Sequence, residues 1–308
     1  MATRKQSSVR LWIVGSIGID DIKTRHVDRK GLLGGSLPFT TAAASFFTKT
    51  GAVGVVGSDF PRRFIKRWAD FGVDLSGVQH VSGETFRWAC VYDEDMIERT
   101  TLKTELGVFG NFQPKLPSTY VQAPFVLLGN IQPELQLHVL DQAKGARFVA
   151  LDTISLWIEV ARPALIRVIK RVNLLTLNDS ESRQLTGKWQ LLDCAKALLR
   201  MGPEYVVIKK GEHGALLFSK KGVSIIPAYP VEKLVDPTGA GDSYAGTCMG
   251  YLARAGRVND RLLRQALTYA SAMASIGVEG FSLSRFEKLD LAKIETRVAA
   301  LRCMADLG

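Results

Sequence analysis

The residues best placed to do chemistry lie together in Val235-Asp236-Pro237-Thr238-Gly239-Ala240-Gly241-Asp242-Ser243-Tyr244-Ala245-Gly246. Two glycines and an alanine stand directly ahead of an acidic residue. The run that follows, through Leu252 and Ala255, has the spacing of an amphipathic helix. Residues 223–226 and 234–235 read as short strands before it. A small-residue loop that opens a helix aims several backbone N–H groups, and the positive end of the helix dipole, at one spot, which favours an anion. Gly239 and Gly241 let the backbone approach that anion with no Cβ in the way. Asp242 then stands at the lip of the hole. A carboxylate there repels a resting phosphate, but it has a use if it takes the proton from a hydroxyl that attacks the phosphate. A glycine-rich turn with Asp242 as an ordinary helix N-cap fits the same letters.

Other phosphate and hydrolase motifs do not fit. A Walker A loop needs a glycine, four residues, then Gly-Lys-Ser/Thr. Gly187-Lys188 is followed by Trp189, and Ser182 occupies the earlier glycine position. Gly241-Asp242-Ser243-Tyr244-Ala245 comes within one residue of a nucleophile elbow, but that triad places its histidine after the serine. His26, His80, His138 and His213 all precede Ser243. Gly15-Ser16-Ile17-Gly18 supplies a fragment of a dinucleotide fingerprint and no more.

Composition bounds the class. The 308 residues are enough for a large core, and at 46% hydrophobic the chain is not disordered. Cys90, Cys194, Cys248 and Cys303 show no C-x-x-C pairing, which points to reduced thiols packed in the core of a cytoplasmic protein. No apolar run approaches the ~18–20 residues of a membrane span. Arg4-Lys5 followed by an apolar stretch imitates a signal peptide, but the stretch runs into Asp20-Asp21 without a small-residue cleavage site and reads as a buried strand. The formal charge of +10 is spread over Arg62-Arg63-Lys66-Arg67, Arg167-Lys170-Arg171 and Arg254-Arg257-Arg261-Arg264, at the spacing of solvated helix faces. No aromatic-interleaved basic patch accompanies them, so nucleic acid is not expected as a partner.

Short apolar runs alternate with longer amphipathic ones. Strands are predicted over 11–17, 52–56, 125–128, 148–151, 174–177, 205–209 and 215–218. Helices are predicted over 37–47, 61–71, 132–142, 163–171, 180–185, 191–201 and 260–276. That alternation predicts an α/β fold with a mostly parallel sheet covered by helices on both faces. Two segments break the rhythm. Residues 21–33 are polar, and 85–102 alternate as a hairpin without a helix.

Residues 236–246 resemble the C-terminal signature of the ribokinase-like (PfkB) carbohydrate kinases, and the resemblance extends over nearly the whole chain. Gly15-Ser16-Ile17-Gly18-Ile19-Asp20 is similar to that family's first strand, ending in a substrate-binding aspartate. Gly34-Gly35-Ser36 resembles its glycine pair beside the sugar, and Val53-Gly54-Val55-Val56-Gly57-Ser58-Asp59-Phe60 its second strand and loop. Asn178-Asp179-Ser180-Glu181 fits its N-x-x-E motif, associated with metal and phosphates, although the same spacing is that of a capping box. Lys209-Lys210-Gly211-Glu212-His213-Gly214 sits where the family contacts ATP.

The resemblance implies one ribokinase-like kinase domain over 1–308, with the rhythm-breaking segments forming a small β-lid over the substrate and the contact of a homodimer. It implies Asp242 as general base, the Gly239-Ala240-Gly241 loop as anion hole, and Asn178, Lys209, Gly211 and Gly214 on the nucleotide. ATP and Mg²⁺ are the implied cofactors, Mg²⁺ being held indirectly through Glu181. Asp236 and Thr238 resemble residues around a monovalent cation such as K⁺. The implied substrate is a hydroxyl of a small sugar, bound by Asp20, Gly34, Gly35, Ser36 and Phe39, with a nucleoside as the alternative. The family's ribokinases carry a basic residue and an asparagine where this chain has Ser36 and Phe39, which weakens a ribose assignment. Asp21 is the one-residue alternative to Asp20. Phe86, Trp88 and Trp157 could stack on a sugar face or base, and Arg87 and Arg99 could meet an anion on the substrate; core packing and surface charge are the plainer roles. A sugar- or nucleotide-binding protein without catalysis is the other class, against which stands the retention of both Asp242 and its loop.

Overall fold

A computed structural model describes residues 8–306; the signal-like Arg4-Lys5 lies outside them. In chain order the first strands are β1 (Leu11–Val14), β2 (Gly18–Lys23) and β3 (Asp28–Gly34), followed by helix α1 (Ser36–Ser45). Then come β4 (Thr50–Gly57), α2 (Arg62–Ala69), β5 (Asp74–Val81), β6 (Phe86–Tyr92) and β7 (Arg99–Glu105). The middle of the chain holds β8 (Phe125–Leu128), α3 (Pro133–Leu140), β9 (Phe148–Asp152), α4 (Ser155–Val160), α5 (Arg162–Ile169), β10 (Leu174–Asn178) and α6 (Asp179–Thr186). Next are α7 (Leu191–Arg200), β11 (Tyr205–Lys209), β12 (Ala215–Ser219) and β13 (Gly222–Ile226). Three helices close the chain: α8 (Ala240–Ala255), α9 (Asp260–Gly277) and α10 (Leu291–Met304).

A nine-stranded sheet runs in the order β13-β12-β11-β10-β9-β8-β1-β4-β5, parallel from β5 through β11 and antiparallel at β12 and β13. Its strands are apolar on both faces because both are covered, as parallel sheets require. Alternation along β1 shows this directly. Leu11 and Ile13 pack into the layer of α1, α2, α8, α9 and α10, while Trp12 and Val14 pack into the layer of α3, α5 and α7. A second, four-stranded sheet has the order β3-β2-β6-β7.

The alternating pattern locates the strands of the large sheet closely, but the structure departs from it in places. β1 stops at Val14, so Asp20 does not end the first strand; it lies within β2, in the other sheet. Where the chain crosses between the two, a Cβ at Gly15 would strike Ser36 Oγ and one at Gly18 the ring of Phe86. Residues 234–235 form no ladder, and Val235 and Asp236 instead both donate their N–H to Val278 O. β5 was not expected, because an edge strand with Ser76, Gly77 and Gln79 carries little apolar pattern. Helix α10 is not among the predicted helices although its signals are present: Asp290 caps it, and Ile294, Val298 and Leu301 are buried at helical spacing. The hairpin expected over 85–102 is present as antiparallel β6 and β7. Cys90, Cys194 and Cys248 are buried as expected, whereas Cys303 is exposed. No helix among the described residues is long and apolar enough to cross a membrane.

Candidate active site

The glycine-rich loop folds as a helix start. Gly239 is the N-cap of α8 at φ 77°, and a side chain there would strike the ring of Phe39 as well as strain the backbone. Phe39, buried in α1, is therefore the surface against which the loop is moulded. Helix α8 begins at Ala240, so Asp242 is the third helical residue and not the cap. The Ala240 N–H donates to Pro237 O at 3.2 Å. That leaves the amides of Gly241 and Asp242, at the second and third positions, without an intrahelical acceptor and suited to an anion.

Asp242 is half-buried, and its carboxyl is pushed up to about 7, by burial first and then by the charge of Asp152. Lys209 and Arg99 pull the other way. Lys209 ends β11, and its Nζ donates to Asp152 Oδ1 at 2.6 Å and lies 3.2 Å from where a Cβ on Gly241 would be. Burial alone would push this ammonium down, but Asp152 and Glu181 outweigh it and its pKa is raised. Asp152 is the site residue that sequence reasoning missed. The strand predicted over 148–151 stops one residue short of it, and a carboxylate at the carboxyl end of a parallel strand is the available signal.

Asn178 and Glu181 form a reciprocal capping box on α6: Asn178 Oδ1 accepts from Glu181 N at 2.7 Å, and Glu181 Oε2 accepts from Asn178 N at 2.8 Å. The structural role that the spacing allowed is thus realised. Glu181 nevertheless faces the site's charges, since burial raises its pKa while Lys209 opposes that shift.

Asp20 enters from β2. Its Oδ2 accepts from Gly35 N at 3.3 Å, and its Oδ1 is buried with no partner. Burial pushes its carboxyl to about 7, and the charges of Asp236 and Asp242 add to the shift. Gly34 is required because a Cβ there would fall on the Asp20 carboxylate. Asp21, by contrast, accepts from Gly31 N at 2.7 Å, within the β2–β3 ladder where its register shifts. Asp236 gives Oδ1 to the Thr238 N–H at 2.9 Å, and its Oδ2 is buried without a partner. Thr238 Oγ1 meets Tyr92 OH at 2.9 Å, which ties β6 to the loop.

Other expected residues are engaged elsewhere. Ser36 is buried in a reciprocal pair with Ser16: its N–H donates to Ser16 Oγ at 3.1 Å and its Oγ accepts from Ser16 N at 3.2 Å. Gly214 is needed for close packing, since a Cβ would strike Ile226 O, while Gly211 faces open space at φ 56°. Phe86 packs on Phe109, Trp157 donates to Asn130, and Arg87 pairs with Asp59. Trp88 pairs in register with Asp20, on the same face of the small sheet, donates its indole N–H to Thr101 at 3.3 Å and carries Arg99 5.4 Å over its ring.

The chain belongs to the pfkB family of carbohydrate kinases, whose model matches residues 27–287. It is accordingly a phosphotransferase that acts on a hydroxyl of a sugar or nucleoside. Among curated proteins it is 32% identical over 250 residues to the cytidine kinase of Thermococcus kodakarensis, covering 79% of this chain and 87% of that one. The fold superimposes on a ribokinase from Giardia lamblia with a TM-score of 0.80 at 15% identity, covering 96% and 99% of the two chains. It also superimposes on the nucleoside kinase of Burkholderia thailandensis in complex with inosine, with a TM-score of 0.76 at 19% identity over 94% and 96%. The fold is ribokinase-like.

Proposed function

We propose that this chain is an ATP-dependent nucleoside kinase, with a pyrimidine ribonucleoside as the first candidate acceptor. The observation that carries the chemistry is Asp242: a carboxylate on the first turn of α8, beside the amides of Gly241 and its own residue, with Lys209 across the loop. In this reading Asp242 accepts the proton of the acceptor hydroxyl as that oxygen attacks the γ-phosphorus. The helix-start amides and Lys209 stabilise charge on the equatorial phosphoryl oxygens. Asp20, with one oxygen unpartnered, takes the acceptor's hydroxyls. No three potential metal ligands cluster among the described residues, so Mg²⁺ would be held by the nucleotide and only indirectly by Asp152 and Glu181, and would neutralise the β- and γ-phosphates. The orphaned Oδ2 of Asp236 suits a monovalent cation.

The expectation of a free sugar gives way to a nucleoside on two grounds. The cytidine kinase similarity covers most of both chains. Trp88 beside Asp20 also offers an aromatic face where a base attached to the bound ribose would lie. We read the four-stranded sheet as a lid within a single kinase domain, anchored by Tyr92 on Thr238 and by Ser282 Oγ donating to Leu33 O at 2.6 Å. Its outer edge, with Leu102 62% exposed on β7, suits a homodimer contact, which light scattering of the chain and a Leu102→Glu variant would test. The buried free cysteines agree with a cytoplasmic location. The decisive experiment is an ADP-release screen with Mg²⁺ and K⁺ against cytidine, uridine, inosine, adenosine, ribose and fructose. Turnover of the free sugars in preference to every nucleoside would overturn the nucleoside assignment; no turnover of any acceptor would favour the binding-protein class.

Two further outcomes follow from the same geometry. With Asp242 and Asp20 both shifted to about 7, both must lose a proton before the free enzyme is competent. The pH profile of kcat/KM is expected to rise steeply up to about pH 7, with a limiting slope near 2, and to level above it. A plateau extending down to pH 5 would contradict the assignment. Gly241→Val would place a branched side chain against Lys209 Nζ and in the anion hole. The folded variant is expected to lose kcat by at least about tenfold, and an unchanged kcat would remove the loop from the mechanism.

A further inference from the structure

At the opposite end of the large sheet lies a surface that phosphoryl transfer does not use. β13 is the terminal strand, so one row of its backbone N–H and C=O groups faces away from β12. Edge strands are usually guarded by lysine, proline or a bulge within the strand. Gly222-Val223-Ser224-Ile225-Ile226 has none of these, and Val223 and Ile225 are 55% and 77% exposed.

The two faces of this edge differ in chemistry. Register pairs Val223 with Phe218 and Ile225 with Leu216, on the face shared with the core under α7. Ser224 pairs with Leu217 and Gly222 with Ser219, on the face toward α9. Along this second face a groove of about 810 Å³ runs between the β12–β13 hairpin and the start of α9. Lys221, Arg257, Arg261 and Arg264 line it, and its one acidic lining residue, Asp260, is already held by Ser219 at 3.0 Å and Lys221 at 3.3 Å. Three of the four arginines expected as a solvated helix face, Arg257, Arg261 and Arg264, are therefore gathered around a concavity.

We propose that β13 is a docking edge for an extended segment of a partner protein in which acidic and apolar residues alternate. A strand added to β13 satisfies the outward backbone groups, and its period of two sends side chains to both faces in turn. One row meets Val223 and Ile225, and the other lies over the arginines. Charge complementarity selects an acidic segment. It also disfavours a second copy of this chain, since pairing across β13 would set two basic grooves side by side in a protein of net charge +10. Ser219 is opposite Tyr205 and Gly222, whereas Lys209 is opposite Ala215 at the other end of the hairpin, so the basic groove lies at the end away from Lys209.

The test is fluorescence anisotropy of a labelled Val-Glu-Val-Glu-Ile-Glu-Val-Glu peptide titrated with the full chain. Saturable binding is expected, weakening as salt screens the glutamates. Ile225→Lys, and separately the double variant Arg261→Glu with Arg264→Glu, are each expected to weaken it by about tenfold or more, with ADP release unchanged as the check on folding. The proposal is overturned if the peptide does not bind, or if its lysine counterpart binds equally well. It is also overturned if Ile225→Lys has no effect while inorganic polyphosphate competes, which would reveal a plain anion patch. Self-association of the wild type that Ile225→Lys abolishes would assign the edge to a second copy.

Discussion

Asp242→Asn is expected to lower kcat by ~10²–10⁴ while ATP still binds, as measured by ADP release and by calorimetric titration of nucleotide. The substitution keeps the size of the side chain and its place on the first turn of α8. What it removes is the ability to accept a proton. It also removes a negative charge near the anion loop, so affinity for ATP should hold or improve. The carboxyl of Asp242 is pushed to about 7, close to the value at which a base is both largely ionised and strong enough to take a hydroxyl's proton. A fall of less than about tenfold would make Asp242 an electrostatic or structural residue and return the base to an unassigned group. A loss of nucleotide binding in parallel with kcat would point to collapse of the loop.

Asp20→Ala is expected to raise KM for the acceptor roughly tenfold to a hundredfold and to leave KM for ATP nearly unchanged. Truncating one partner of a buried hydrogen bond to a charged group typically costs ~1.5–3 kcal/mol. Asp21→Ala should have little effect on the acceptor, because Asp21 is committed to the Gly31 N–H at the bulge between β2 and β3. Equal shifts in both Michaelis constants would make Asp20 structural. The conservative variant, Asp20→Asn, should behave differently in the ligand-free protein. Asp20 has its carboxyl raised from 3.8 to about 7 by burial and by neighbouring carboxylates. A group raised in the folded state stabilises below its unfolded pKa, and that contribution is lost as pH rises through the folded value. Asparagine carries no charge to desolvate. Asp20→Asn is therefore expected to raise the melting temperature of the ligand-free protein at pH 8 and to have a smaller effect at pH 5, while acceptor turnover is impaired at both. A destabilised variant at pH 8 would show that the Asp20 carboxylate is satisfied in the ligand-free fold.

How much of this was legible differs from residue to residue. The Gly239-Ala240-Gly241-Asp242 order specifies a helix start with a carboxylate one turn in, because glycine supplies the left-handed residue and a helix start exposes its amides whatever surrounds it. Lys209 was found at the end of a strand whose apolar run reads directly. Asn178 and Glu181 could be read as capping box or as ligand to the nucleotide's metal, and the hydrogen bonds realise the first. Ser36 and Phe39 were placed at the acceptor by resemblance. The structure instead seats Ser36 against Ser16 and Phe39 against Gly239, since the close approach of α1 to both loops leaves those side chains inside.

The local pieces are legible in residue order alone: a covered parallel sheet from doubly apolar strands, the anion-ready helix start, a hairpin without a helix, and an acidic residue following the Gly15–Gly18 stretch. Each depends on neighbours a few residues away, which composition and period express directly. Tertiary structure decided which of these meet. Asp152 from β9 reaches Lys209 from β11 because parallel strands present their carboxyl ends together, across 57 residues of chain. Asp20 comes to the loop from the other sheet, and its raised pKa is set by burial and by Asp236 and Asp242, more than 200 residues away. Arg99 acts on Asp242 only because β6 and β7 fold over the loop through Tyr92 and Thr238. Burial and charge–charge distance are properties of the packed chain, and no spacing along the sequence encodes them.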